Sequence, residues 1–224
     1  MESFTRGKLL YKNPLDTPDC VKDFVMEGQG VVCFPGGKMQ LENALDEDLG
    51  QKSNFVFWCP EDFEGDVEIT WQFKPLREPG LAIMFFHALG LNGEDIFAPT
   101  LPKRTGEYNM YHSGEMNCYH IAYFRRRWPE ERAFHTCNLR KSKGFHLVAQ
   151  GGDPIPGVED AKEAYTIKIV KRQDHIYFFV DNLLVFTWHD DGSLGAPPNK
   201  GKIGFRQMAP LQALYWDLEV WEVK

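Results

Sequence analysis

The chain of 224 residues lacks the marks of several protein classes. Its first residues, MESFTRGKLLYKNPL, contain no apolar h-region and no small-residue cleavage site, and nowhere is an apolar run long enough to span a bilayer. The five cysteines (Cys20, Cys33, Cys59, Cys118, Cys137) are odd in number, widely spaced and without a CxxC pair. That argues against a secreted disulfide framework and against a zinc ligand set. The expectation is a soluble, reduced, cytoplasmic protein with no metal site, no cofactor and no membrane partner. An overall basic balance is missing too. The formal charge is −7, which argues against nucleic acid as a partner, because phosphate neutralisation needs a basic face. Finally, no 3.6-residue apolar periodicity persists over the ten or more residues that a helix requires.

What is present is strand signal and ample core material, with 43% hydrophobic and 14% aromatic residues. Val67 to Phe73 is the cleanest period-two segment, with Val, Ile, Trp and Phe on one face and Glu, Thr and Gln on the other. Leu81 to Leu89 is apolar on both faces and so must be covered on both sides. Short strands at regular spacing, separated by Gly, Pro, Asn and Asp, continue to the C-terminus. They predict an all-β chain, a two-sheet antiparallel jelly-roll sandwich forming one domain over residues 1–224. Long loops are expected at 90–117 and 151–164.

One stretch departs from the acidic body. From Lys103 to His146 nine Lys or Arg face four Glu, a surplus of five, so the remainder carries −12 of the overall −7. Four of the seven histidines fall in it as well. A basic, His- and Tyr-rich island suits an anionic or polyhydroxylated ligand. Strand-like segments at 118–127, 133–140 and 144–150 place its side chains by alternation. Cys137 and Leu139, with Phe145, Leu147 and Ala149, suit a core, so Asn138, Arg140, His146 and Gln150 should face a groove. His120 and Arg126 are assigned to the same face because Tyr119 and Ile121 are the larger apolar partners, although a one-residue bulge would invert such an assignment. Tyr111, His112 and Glu115, on the long loop, are placed over the groove.

The ending IYFFVDNLLVFTW…GKIGFRQM…LYWDLEV resembles the closing strands of concanavalin-A-like and laminin-G-like jelly rolls. The middle segments YHSGEMN and HIAYFRRRWPEERAFHTCNLRKSKGFHL, with the DPIP loop, resemble a bacterial family of unassigned function. That family is typified by a protein of a rhamnogalacturonan-utilisation operon. The resemblance implies a galectin-like sandwich and a carbohydrate context, and carries no catalytic residues with it. Together the residues and the resemblance suggest a protein acting on uronate-containing oligosaccharides of acidic plant polysaccharide. It would be a lyase or glycoside hydrolase using His120, His146 and Tyr111 as acid or base groups. His112, Glu115, Arg126, Asn138, Arg140 and Gln150 would bind substrate. A lectin-like binding protein without catalysis is the competing reading, and a sugar-isomerising activity a third.

Overall fold

Alternation in one strand shows how the layers form. In a computed structural model describing residues 4–224, Val67, Ile69, Trp71 and Phe73 are fully buried in the main core, while Glu68, Thr70 and Gln72 line the opposite face. The strand between them, Val67–Arg77, has a sheet neighbour on each side. In chain order the strands are β1 (Arg6–Asn13), β2 (Val25–Gly28), β3 (Gly30–Cys33), β4 (Met39–Asn43), β5 (Phe55–Glu64) and β6 (Val67–Arg77). They continue with β7 (Leu81–Gly90), β8 (Met116–Tyr123), β9 (Thr136–Ser142), β10 (His146–Gly152) and β11 (Tyr165–Arg172). Last come β12 (His175–Val180), β13 (Leu183–His189), β14 (Lys200–Met208) and β15 (Gln212–Val223). Two short helices, α1 (Asn109–His112) and α2 (Pro129–Phe134), interrupt the series.

The strands form two antiparallel sheets packed face to face. An eight-stranded sheet has the order β13-β12-β11-β6-β15-β4-β3, with β1 also paired to β15. A seven-stranded sheet has the order β10-β9-β8-β7-β14-β5-β2. The strand β7 explains its own two-sided apolar pattern. Ala82, Met84 and Phe86 enter the core between the sheets, and Leu81, Ile83 and Phe85 enter a second core on the outer face of the seven-stranded sheet. The long loop supplies the other half of that second core through Ile96 and Tyr111, packed with Trp58 and with Met116 at the start of β8. Each such side chain contributes about 1.5–3 kcal/mol by leaving water. Gly204 makes room for this layer, since a Cβ there would lie 2.4 Å from the Trp58 ring. A buried ion pair, Arg104 to Glu27 at 2.6 Å, ties the loop down, and Trp58 Nε1 donates to the same carboxylate at 2.9 Å.

The strand boundaries differ from the sequence expectation around residue 130. Pro129–Phe134 is helical, with Pro in the first turn and the Glu131 carboxylate accepting from the Arg127 and Trp128 amides at 3.0 and 3.1 Å. Proline at a first helical position followed by acidic residues is a start signal. At six residues the helix is too short to show a period. No helix among the described residues is long and apolar enough to cross a membrane.

Candidate functional site

Strand register sets two rows of side chains across the outer face of the seven-stranded sheet. One row runs Val56, Arg206, Ile83, Ala122, Asn138, Gln150, and the next runs Trp58, Gly204, Phe85, His120, Arg140, Leu147. The long loop covers the β5, β14 and β7 end of these rows and leaves the β8–β9 end open. The opening is a cavity of about 250 Å³, whose lining includes Gln51, Tyr108, Arg125, Asn138, Arg140 and Phe145.

His120 is fully buried at its inner edge, and its Nε2 shares a hydrogen bond of 2.7 Å with the Tyr108 hydroxyl. Its Nδ1 has no partner among the described residues. Burial first, and then the charges of Arg140 and Arg206 and the His112 ring, hold this imidazole well below its ordinary range, so it is neutral at pH 7. Burial pushes the Tyr108 phenol up to about 12, while the Arg206 and Arg140 guanidiniums pull it back down. His112 packs on Phe145 with ring centroids 4.4 Å apart, and burial followed by Arg140 lowers its pKa. The Asn138 and Gln150 carboxamides meet at 2.8 Å.

The cations of the basic island are for the most part already paired. Arg104 meets Glu27, Arg125 meets Glu131, Arg126 meets Asp153, Arg127 meets Glu47, Lys141 meets Asp190 and Lys143 meets Glu115. Arg140, like Lys103 and Arg132, is in no ion pair among the described residues, and of these three it is the one that lines the cavity. Its guanidinium carbon stands 3.7 Å from the centroid of the Phe145 ring, and Nη1 donates to the Phe145 carbonyl at 3.0 Å. A second guanidinium, Arg206, lies fully buried behind Tyr108, 4.6 Å from that ring. Among the described residues it has no carboxylate partner, and its Nε and Nη1 make no hydrogen bond.

Several expected residues lie elsewhere. Arg126 is 1% exposed and bonds Asp153 at 3.2 Å and the Ile155 carbonyl at 2.6 Å, so it is a buried structural group and not part of the groove. Strand β8 ends at Tyr123, and Phe124, with φ +47, turns into the core, which breaks the alternation used to place Arg126. His146 is exposed and lies opposite Lys141, not on the Arg140 row. An irregularity between Leu147 and Ala149 resets the register, so Leu147 falls opposite Arg140 and Gln150 opposite Asn138. For the same reason Leu147 leaves the core side, and Phe145 also lines the cavity. Tyr111 is fully buried between Trp58 and Phe85, where burial raises its phenol pKa; Tyr108 occupies the position expected of it. Glu115 is exposed and pairs with Lys143 at 3.4 Å, away from the cavity lining.

Tyr108, Arg125, Phe145, Gln51 and Arg206 were not expected in or behind the site. For Arg206 a signal exists: Ile203 and Phe205 are core residues of β14, so alternation turns Arg206 to the outer face. Among the described residues no group of three or more His, Cys, Asp or Glu is placed to hold a metal ion.

Two antiparallel sheets, one carrying three successive hairpin strands with polar side chains on its outer face, define a galectin-like sandwich. The chain belongs to the DUF1961 family, described as a domain of unknown function, whose pattern it matches over residues 8–220. It is 49% identical over 218 residues to the uncharacterized protein YesU of Bacillus subtilis, covering 97% of each chain. A crystal structure of a protein of unknown function with a galectin-like fold, from Bacillus subtilis, superposes with a TM-score of 0.94 at 48% identity, over 99% of both chains. At the level of fold alone, lectin I-B4 of Griffonia simplicifolia superposes with a TM-score of 0.63 at 9% identity, over 96% of this chain and 98% of that one.

Proposed function

We propose that the protein binds an acidic, uronate-containing oligosaccharide of rhamnogalacturonan type in the Tyr108–Arg140 cavity and cleaves it by β-elimination. The observation that carries this reading is Arg140, a cavity-lining guanidinium in no ion pair among the described residues, beside a Tyr108–His120 hydrogen bond of 2.7 Å. A guanidinium grips a carboxylate with two parallel hydrogen bonds, which also neutralises it and acidifies the neighbouring C5–H. The half-exposed Phe145 and Trp128 rings at the mouth offer apolar faces for sugar rings. Lectin I-B4, whose fold is similar, is by its name a carbohydrate-binding protein, which supports a sugar as the ligand class.

The proton inventory fits the elimination. Tyr108 takes the C5 proton as it passes its own to the neutral His120 Nε2. The C5–H electron pair forms the C4–C5 double bond, and the C4–O bond breaks with its pair going to the leaving oxygen. Tyr108 then delivers its proton to that oxygen and recovers one from His120, so the pair ends as it began. Arg206 and Arg140 favour the transient negative charge on the phenol. Hydrolysis by two carboxylates is poorly served. Glu131 is the sole carboxylate among the described lining residues, and it is held by Arg125 and two backbone amides. A second reading, recognition without turnover, is favoured by the complete burial of His120 behind Tyr108.

Incubation with rhamnogalacturonan oligosaccharides, followed by ultraviolet absorbance of the unsaturated uronate and by calorimetry, separates the readings. Arg140→Ala should weaken binding by about 10–100-fold, the loss of charged hydrogen bonds of about 1.5–3 kcal/mol. Tyr108→Phe should keep binding and abolish turnover. Binding with no product at high protein loading would leave only the recognition reading, and unchanged affinity in Arg140→Ala would remove the site.

A further inference from the structure

A larger cavity, of about 810 Å³, lies on the other sheet. It is a groove on the outer face of the eight-stranded sheet, floored by β11, β6 and β15, and no loop among the described residues covers it. We infer that this groove is a second binding site, for an uncharged oligosaccharide.

The argument begins with unsatisfied hydrogen-bonding groups. The Thr70 hydroxyl, the Gln72 carbonyl oxygen, the Asn182 carboxamide and the Asp217 carboxylate all line the groove. Among the described residues none of these four groups makes a hydrogen bond, although Gln72 Nε2 is committed to Thr166 Oγ1 at 3.0 Å. Register sets Thr166 beside Gln72 and Lys168 beside Thr70, so the floor is a ladder of short polar side chains. Asp217 stands where β15 bulges between Trp216 and Glu219, and its φ of +52 belongs to the left-handed region, which disfavours ordinary side chains. The exposed bulge presents its carboxylate at the edge of the groove.

Charge then selects the ligand. The strongest ions of the groove satisfy each other, Arg6 with Glu68 at 2.6 Å and Lys12 with Glu219 at 2.9 Å. Lys168 stands over the Phe179 ring at 4.2 Å. An anionic ligand would meet four carboxylates against three cations, and a cationic one would find, among the described residues, two carboxylates outside any ion pair: Asp217 at the rim and Asp181, whose Oδ1 already accepts from the Thr166 amide. A polyol needs neither sign. Its hydroxyls donate to Asp217, Gln72 and the free lone pairs of the paired carboxylates, and accept from Thr70 and Asn182. The volume lies within the ordinary range of ligand sites, about 300–1,000 Å³, and its open form suits a chain of sugar rings. Phe4 closes one side with an apolar wall, packed on Tyr177 with centroids 4.7 Å apart.

The test is calorimetry on the full chain with neutral hexasaccharides: β-1,4-galactohexaose, β-1,4-mannohexaose, cellohexaose and maltohexaose. At least one should bind saturably to the wild-type chain and equally to Arg140→Ala, which disables the other face. Gln72→Leu and Asp217→Asn should each weaken that binding by about tenfold, roughly 1.4 kcal/mol, with circular dichroism unchanged. Asparagine tolerates the left-handed backbone, so Asp217→Asn remains informative if Gln72→Leu folds poorly. No binding of any hexasaccharide at millimolar concentration overturns the inference. So does binding that Arg140→Ala abolishes while Gln72→Leu and Asp217→Asn leave it intact, because that puts the sugar in the Tyr108–Arg140 cavity. Sedimentation showing a dimer that Gln72→Leu dissociates would assign the groove to a second copy of the chain.

Discussion

The two outer faces of this sandwich are built from the same element and have opposite characters. The outer face of the seven-stranded sheet is roofed by the 90–117 loop, which turns part of it into a second apolar core and confines the rest to a cavity of about 250 Å³. Under that roof burial holds the His120 imidazole neutral and Arg206 has no carboxylate partner among the described residues, while Arg140, at the open β8–β9 end, is likewise in no ion pair there. No loop among the described residues roofs the face of the eight-stranded sheet. Its groove is about three times larger, and its main ions pair with each other in partial contact with water. Removing water makes the same residue types behave differently: buried polar groups can be left unsatisfied or held neutral, whereas partly solvated ions can pair with one another and keep water on their remaining lone pairs. The roof therefore makes the first face a candidate for chemistry and leaves the second suited to recognition.

The largest expected effect removes the roof. Arg104 and Glu27 are both buried, and the pair is the polar anchor of the loop against β2 and β5. Arg104→Ala leaves a buried carboxylate without its partner, which costs about 3–5 kcal/mol. Urea unfolding should show that loss. Where the chain remains folded, acidic oligosaccharides should bind more weakly than to wild type, while any neutral sugar in the opposite groove should bind as before. Equal losses at both faces would mean that the loop supports the whole sandwich, and the contrast between the faces would fail.

How much of this was legible from residues alone follows the range of the interactions. Period-two alternation is local, so β6 and β7 and the outward turn of Asn138 and Arg140 could be read directly. The apolar character of both faces of β7 even announced the roof. What could not be read depends on distant partners or on single backbone dihedrals. Arg126 is buried because Asp153, 27 positions on, receives it, and because Phe124 takes a positive φ. His146 left the Arg140 row through one irregularity in β10. Tyr108 and Tyr111 lie three positions apart on either side of the start of a single helical turn, too short for periodicity to choose between them. The charge surplus of the basic island was genuine as a count. It misled as a surface property, because Glu27, Glu47, Asp153 and Asp190, all outside the island, neutralise four of its cations.

A middle-sized effect sharpens the contrast through pH. His120 under the roof is held well below 6.5, and His87, beside the Pro198 carbonyl, is lowered to about 4, in both cases chiefly by burial. Unfolded, each titrates near 6.5, so below that pH the unfolded chain binds protons that the folded chain refuses. The stability they confer is whole above about pH 6.5 and falls as the pH drops toward about 4, by about 1.4 kcal/mol per pH unit for each histidine. His120→Gln should remove one of the two slopes. Urea unfolding of both proteins between about pH 7 and about pH 5 measures the difference directly. Parallel curves would show that His120 becomes protonated in the folded chain, and the neutral acceptor for Tyr108 would be lost.

The smallest effect is expected where the roofed face is itself open to water. Glu115 follows the roof loop's helical turn at the sheet edge and pairs with Lys143 at 3.4 Å, with both side chains about half exposed. It therefore resembles the solvated Lys12–Glu219 pair of the opposite face more than the buried Arg104–Glu27 pair of its own loop. Exposed pairs of this kind contribute about 0–1 kcal/mol, since water screens the attraction and two long side chains lose freedom to make it. Glu115→Gln should shift stability by no more than about 0.5 kcal/mol and leave acidic-oligosaccharide affinity unchanged or slightly raised, because one negative charge leaves the approach to Arg140. Raising the salt concentration should erase even that gain. A large loss of affinity would place Glu115 in contact with the ligand, and the boundary of the site would then extend past Phe145 onto the helical turn.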